Sequence, residues 1–272
     1  MNVKDILNEE KFVFEKKYGQ NFILDKNLLD AIVEDCCLSH NTNVLEIGPG
    51  SGTLTMRIAQ SVSKVLCYEI DKKLQPILEK TVGNLENVEV VYKDVMLVTE
   101  NEIKQKLGDD FTIVANLPYY ITTPIIFKFL DFSSVQALNI MVQKEVAERI
   151  IATKGKDYGV LSIMIGAVAD VKIMRIVKAS MFTPAPNVDS AIVQIKMNRN
   201  KFKINNFAIF KKLVHGSFSM RRKTLMNNIM KTFSFSREQT AALLASFKEG
   251  VRAEQLGIEE FVLLANKIEQ IL

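Results

Sequence analysis

The sequence predicts an α/β protein, a doubly wound parallel sheet followed by a small all-α C-terminal domain. Three observations carry this. Apolar, β-branched runs alternate with amphipathic segments about five times between residues 43 and 151, as parallel sheets with crossover helices require. A glycine-rich stretch follows the first of these runs, where a strand hands over to a helix. From about Asn198 onward the patterns are helical, so a boundary falls near residue 200 and divides the chain into 1–200 and 201–272.

The elements follow in order. Residues 1–17 suggest a short amphipathic helix and then a basic segment with Lys11, Lys16 and Lys17. Tyr18 to Asp25 is a polar turn with apolar anchors. A helix from about Lys26 to Leu38 is apolar at Leu28, Leu29, Ile32 and Val33. Cys36 and Cys37 close it as packing residues, because neighbouring helical positions do not face each other. Asn43–Ile47 is the first strand, running into Gly48-Pro49-Gly50-Ser51-Gly52 and a helix from Thr53. Glycines let backbone approach a ligand closely, with helix N–H groups facing it. A dinucleotide fingerprint would place glycine at position 53; Thr53 stands there, which favours a different nucleotide-like cofactor.

Lys64–Glu69 is the second strand and ends in a carboxylate 21 residues after Gly48, placed to accept from ribose hydroxyls. Val88–Tyr92 is the third, with Asp94 just past its end, where it can accept from an exocyclic adenine amine. Asp71 and Asp94 also suit helix N-caps. Singly each acid is better explained as a cap; at the ends of successive strands the set describes a pocket. Phe111–Ala115 is a buried strand, and Asn116-Leu117-Pro118-Tyr119 follows at its carboxyl end, where open α/β sheets bind ligands. Pro118 stiffens that loop. Asn116 offers an amide oxygen, Leu117 a carbonyl and Tyr119 a flat face, which together suit a planar, amine-bearing ring; an ordinary strand-to-helix turn would use the same residue types. The fifth unit is the helix Ile125–Leu130, the strand Val135–Val142 and the helix Lys144–Ile151. After a break at Gly155–Gly159 and an apolar helix at Val160–Val168, Val171–Ala179 and Ser190–Met197 are expected to close the sheet as an antiparallel pair. Between them lies a proline-stiffened loop led by Phe182.

Composition narrows the function. The 272 residues are 48% hydrophobic and 24% charged, enough for a substantial core, and no apolar run reaches the roughly 18 residues of a membrane span. Acidic residues near the start and three unspaced cysteines fit a reduced, cytoplasmic protein. Net charge is only +4, yet Ser190–Arg237 holds 11 basic residues and no acid in 48 positions. The rest carries 24 basic and 31 acidic residues, so the asymmetry points to a localised polyanion-binding face rather than a plain solvated surface. His40 and His215 lie away from the strand ends, no nucleophile–base set can be assembled, and no cluster has metal-ligand spacing. A nucleoside-binding sheet with an amine-holding loop and a basic appendage suits group transfer by positioning, such as methyl transfer from a sulfonium.

At this point the chain resembles the ribosomal RNA adenine N(6),N(6)-dimethyltransferase family of the KsgA/RsmA type. The resemblance rests on Gly19-Gln20-Asn21-Phe22-Ile23, on Leu45 to Thr55, on Asn116-Leu117-Pro118-Tyr119, and on Phe182-x-Pro184-x-Pro186-x-Val188-x-Ser190. In the second domain it rests on Phe218 to Leu225 and Arg252 to Leu256. It implies a Rossmann-like S-adenosylmethionine-dependent methyltransferase sheet, with residues 1–25 contributing to the cofactor and RNA site. Asn21, Ile23, Gly48, Glu69, Asp94 and Asn116 would hold S-adenosyl-L-methionine, which leaves as S-adenosyl-L-homocysteine. Leucine is commoner than Ile23 in the family, a change a backbone contact would not notice. Asn116 to Tyr119 would clamp an adenine turned out of its RNA, with Tyr119 and Phe182 stacking on it. Lys16, Lys17, Arg221, Arg222 and Lys223 would touch RNA. The implied reaction is dimethylation of two adjacent adenosines in the 3′-terminal hairpin of 16S rRNA in the 30S particle, by a cytoplasmic monomer without metal. The alternatives are a 23S rRNA adenine methylase of the macrolide-resistance type, which would lack the Arg221-Arg222-Lys223 block, and a non-catalytic assembly factor, which would need no cofactor pocket.

Overall fold

A computed structural model describes residues 3–15, 18–220 and 222–272. It contains a seven-stranded sheet and a separate two-stranded one. In chain order the elements are α1 (Val3–Glu9), β1 (Phe22–Ile23), α2 (Lys26–Asp35), β2 (Asn43–Ile47), α3 (Thr53–Ala59), β3 (Lys64–Glu69), α4 (Gln75–Val82), β4 (Val88–Tyr92), α5 (Glu100–Leu107), β5 (Phe111–Asn116), α6 (Thr122–Leu130), β6 (Val135–Gln143), α7 (Lys144–Ile151), α8 (Val160–Gly166), β7 (Ala169–Val177), β8 (Phe182–Thr183), β9 (Ser190–Met197), α9 (Phe207–Ser217), α10 (Leu225–Phe233), α11 (Arg237–Leu243) and α12 (Ile258–Glu269).

The large sheet runs β4-β3-β2-β5-β6-β9-β7. Strands β4, β3, β2, β5 and β6 pair in parallel, while β9 pairs antiparallel with β6. Of the closing strands, β9 has the expected bounds and β7 begins and ends two residues before the expected Val171–Ala179, with the later strand inserted next to β6. Chain order reverses between β2 and β5, so the loops after those strands flank a topological switch point, the crevice where such sheets bind ligands. Strands β2 and β5 are buried on both faces, with Val44, Leu45, Ile113 and Val114 at most 1% exposed. That burial explains their continuous rather than alternating apolar character.

The small sheet is a departure from the expected turn and loop. Phe22 pairs with Thr183 and Ile23 with Phe182, so the polar turn at 18–25 and the proline-stiffened loop are tied together as β1 and β8. Two-residue strands are too short for an alternation to show in sequence. Helix α2 ends at Asp35, three residues short of the expected Leu38, with Cys37 left-handed just beyond it.

The chain divides into two compact units, 1–147 with 172–196, and 148–171 with 197–272. The first holds β2 to β6 and β9. In it α1 lays Val3, Ile6 and Leu7 against Leu74, Ile77 and Leu78, with Phe12, Phe14 and Phe22 packed around them. The second is helical and includes α8, which the expected boundary at residue 200 kept with the sheet. Helices α9, α10 and α11 start at side-chain caps: Asn206 accepts from Ala208 and Ile209, Thr224 from Asn227, and Ser236 from Gln239.

Candidate functional site

One cavity opens at the carboxyl ends of β2, β3, β4 and β5, and its wall includes Asn21, Ile23, Gly48, Glu69, Asp94 and Asn116. All six expected cofactor residues are thus brought together from five separate segments. The glycine loop explains itself backbone first. Gly48, Gly50 and Gly52 all have positive φ, which side-chain-bearing residues rarely adopt. At Gly50 a Cβ would lie 2.8 Å from the Phe22 ring, so that glycine serves packing. At Gly48 a Cβ would meet nothing within 4 Å. Its backbone faces the open cavity, as close approach by a ligand requires.

Glu69 is 5% exposed and pinned at both oxygens: Gly50 N–H donates to Oε2 at 3.2 Å and Asp71 N–H to Oε1 at 2.9 Å. Burial pushes its carboxyl up to about 6, against the lowering effect of those backbone donors. A carboxylate held this way keeps lone pairs for ribose hydroxyls while its direction stays fixed. Asp94 is both things the sequence allowed: its Oδ1 caps a short helical turn by accepting from Met96 N–H at 2.8 Å, and it lines the cavity. Asp71 caps the turn after β3 through Lys73 N–H and takes a second bond from the Gln20 amide at 2.7 Å.

Asn116 sits at the last position of β5, and its amide nitrogen donates to the Asn21 carbonyl at 2.8 Å. This bond orients the amide and leaves Oδ1 as an acceptor for a ligand amine. Among the described residues nothing donates to the Leu117 carbonyl, whose own N–H is spent on Met141 at 3.2 Å. The Leu117 side chain is buried, and Pro118 lines the cavity. Tyr119 is half-buried, its hydroxyl 2.8 Å from that of the fully buried Ser190, which fixes the ring. Phe182 is 4% exposed and packs among Ile23, Leu29 and Val114 in the core, because its backbone pairs with Ile23. It is a core residue and not part of the cavity wall.

Of the expected RNA contacts, Arg222 and Lys223 are exposed on the turn before α10. That turn is braced by the buried Asn228, whose amide donates to the carbonyls of Ser217 and Met220. Lys16, Lys17 and Arg221 lie outside the described residues.

The cavity wall also holds residues the sequence did not single out: Glu46, Ile70, Tyr18 and Tyr120. Glu46 is 1% exposed, and the Cys67 thiol donates to its Oε2 at 3.6 Å. Burial pushes it up to about 7, with nearby Glu69 adding to the rise. An acid inside the run Val44-Leu45-Glu46-Ile47 was the available signal for it. An acid-rich, apolar-walled cavity with an open glycine backbone fits a cationic nucleoside such as S-adenosyl-L-methionine. Among the described residues no group of three His, Cys, Asp or Glu is placed to hold a metal ion.

Comparison with known proteins follows the same line. The family profile described as ribosomal RNA adenine dimethylase matches residues 11–270. The ribosomal RNA small subunit methyltransferase A of Clostridioides difficile strain 630 is 42% identical, over 97% of this chain and 94% of its own. That of Bacillus licheniformis is 38% identical, over 100% and 97%. Among solved structures, a dimethyladenosine transferase from Plasmodium falciparum aligns with a TM-score of 0.78 at 25% identity, over 92% of this chain and 98% of its own. The 23S rRNA methyltransferase ErmE shares the fold, with a TM-score of 0.70 at 24% identity over 92% and 100%.

Proposed function

The chain belongs to the ribosomal RNA adenine dimethylase family, and from that premise we propose that it dimethylates the exocyclic amines of two adjacent adenosines in the 3′-terminal hairpin of 16S rRNA, acting on the 30S particle in the cytoplasm. Its bacterial relatives named for the small subunit favour that substrate over 23S RNA. The observation that carries the reading is Asn116, which lines the cavity shared with Gly48, Glu69 and Asp94 while its amide nitrogen is held by the Asn21 carbonyl and its Oδ1 stays available as an acceptor.

In this reading Glu69 holds the ribose hydroxyls of S-adenosyl-L-methionine and Asp94 its adenine amine, while Asn21, Ile23 and the Gly48 backbone border the rest. When bound, the cofactor supplies a methyl group on a positively charged sulfur that leaves without needing a proton. The remaining task is the substrate amine, whose lone pair is delocalised into the adenine ring. Asn116 Oδ1 and the Leu117 carbonyl accept hydrogen bonds from its two N–H groups in the first transfer, and one of them does so from the remaining N–H in the second, which lets the nitrogen pyramidalise and aim its lone pair. Each transfer releases one proton from the amine to solvent. Pro118 keeps those acceptors from drifting, and Tyr119, anchored by Ser190, offers the stacking face for the extruded base. Stacking of this kind offsets part of the few kcal/mol that extrusion costs. Phe182 acts from the core, holding Ile23 through the β1–β8 pair. Arg222 and Lys223, with Lys16, Lys17 and Arg221, contact the RNA backbone.

Asn116→Ala is expected to abolish methyl incorporation into undermethylated 30S subunits while RNA binding stays within about twofold. Mass mapping of the modified nucleotides in wild-type reactions identifies the target, and near-normal rates in the variant would refute the clamp.

A further inference from the structure

The two consecutive tyrosines of the loop after β5 stand in different surroundings. Tyr119 is half-buried, bonded to Ser190 and outside the cavity wall. Tyr120 is 60% exposed and lines the cavity together with Glu69, Ile70 and Asp94. Gly19 of the leading turn closes on the same spot: a Cβ there would lie 3.4 Å from Pro118 Cβ and 3.8 Å from Tyr120 Cε1, and its φ of 60° already favours glycine. Burial pushes the Tyr120 hydroxyl up, and Asp94, Tyr18 and Glu69 add to the shift, so two of the three cavity acids lie within its electrostatic reach.

An aromatic ring left this exposed, at the mouth of a cavity whose acids suit an adenosine, lacks a covering partner that a flat nucleoside would supply. We infer that Tyr120 is a cofactor-binding residue that roofs the adenosine half of S-adenosyl-L-methionine, while its neighbour Tyr119 faces the RNA base. The inference rests on the reading of the cavity as the cofactor site. Its consequence is that one proline-stiffened loop touches both ligands. Occupancy of the cofactor site then presets the loop that receives the base, and each ligand raises the affinity for the other by the same factor. A stacking role for Tyr120 on RNA is the competing assignment, and the proximity of Glu69 and Asp94 argues against it, because acids repel a phosphate backbone.

Calorimetric titration of the full chain tests this, with S-adenosyl-L-homocysteine as one probe and a short adenine-bearing RNA hairpin as the other. Tyr120→Ala should weaken S-adenosyl-L-homocysteine binding about tenfold, the scale of one stacked ring, and leave hairpin binding without cofactor within twofold. Tyr120→Phe should bind like wild type, and Tyr119→Ala should show the reverse selectivity. If Tyr120→Ala melts early, Tyr120→Leu against Tyr120→Phe asks the same question at preserved bulk, and equal cofactor affinity in those two would overturn the assignment. So would a Tyr120→Ala protein that loses hairpin affinity and keeps its cofactor. A wild type that binds no S-adenosyl-L-homocysteine would overturn the reading of the cavity itself, and this inference with it.

Discussion

Glu46 is the residue on which the cavity's charge balance turns. It and Glu69 are neighbouring buried acids, pushed up to about 7 and about 6 from an ordinary 4.5, and burial is the main cause at both. Between 4.5 and 7 these two carboxyls therefore hold more protons in the folded than in the unfolded chain, so their contribution to unfolding free energy falls as pH rises. The stabilising contribution is complete below the unfolded value and disappears as pH climbs through the folded ones. A cation entering the cavity favours the charged carboxylates, so cofactor affinity should rise across the same window. Melting of the cofactor-free protein from pH 5 to 8 should show a falling Tm, and Glu46→Gln should flatten both that fall and the gain in cofactor affinity. A variant with the wild-type slopes would show that the proton sits elsewhere. That Gly48, Glu69, Asp94 and Asn116 would line one cavity was legible because strand ends can be counted from sequence and the cavity of an open α/β sheet lies there. Ile70 and Tyr120 were not legible, since each sits just beyond a recognised motif and nothing in residue type says which way a side chain turns; Glu46, inside the Leu45 to Thr55 motif, was signalled only as an acid within an apolar run.

Elements were legible to the extent that their period was long enough to see. The five parallel strands announce themselves as apolar runs, and the helices between them follow from what parallel strands need. The β1–β8 pair has two residues a side and became visible only in three dimensions, yet it fastens Ile23 to the cavity floor. Close packing is similarly silent in sequence. Gly216 lies within α9, and a Cβ there would fall 2.2 Å from Thr232 Oγ1 and 2.8 Å from Thr232 Cβ on α10. A side-chain rotation cannot clear both atoms, so Gly216→Ala must push the two helices apart. Overpacking of this sort costs typically 1–3 kcal/mol, roughly several degrees of Tm. Because Asn228 of α10 braces the turn that carries Arg222 and Lys223, the same variant should lose RNA affinity. Cofactor affinity measured by calorimetry should stay at the wild-type value, and a fall in both would mean that the damage reaches beyond the helical unit.

At the scale of the molecule, charge is partitioned more cleanly than the chain is. Helix α8 belongs with 197–272, its Gly166 against Ile258, although its sequence shows only that it is apolar throughout. Hydrophobicity says that a segment is buried; it does not name the partner, and a boundary set by composition at residue 200 followed the chain instead of its packing. Charge needs no partner to be read. Acids of the sheet unit meet lysines in local pairs, Lys93 with Glu102 at 2.6 Å and Lys80 with Glu10 at 2.5 Å. In the acid-free stretch Lys201 reaches Asp170 at 2.9 Å and Lys212 lies over the Phe233 ring at 4.8 Å, while Arg222 and Lys223 remain exposed. A polyanion displaces counterions when it docks on such cations, which ties affinity to salt. Replacing Arg222 and Lys223 by alanine should therefore weaken binding of an rRNA hairpin and flatten log K against log salt, by about 0.7 for each phosphate no longer neutralised. Fluorescence anisotropy across a salt series measures that slope directly. An unchanged slope would mean that these two side chains face water alone, and that the phosphates are met by other residues of the basic run.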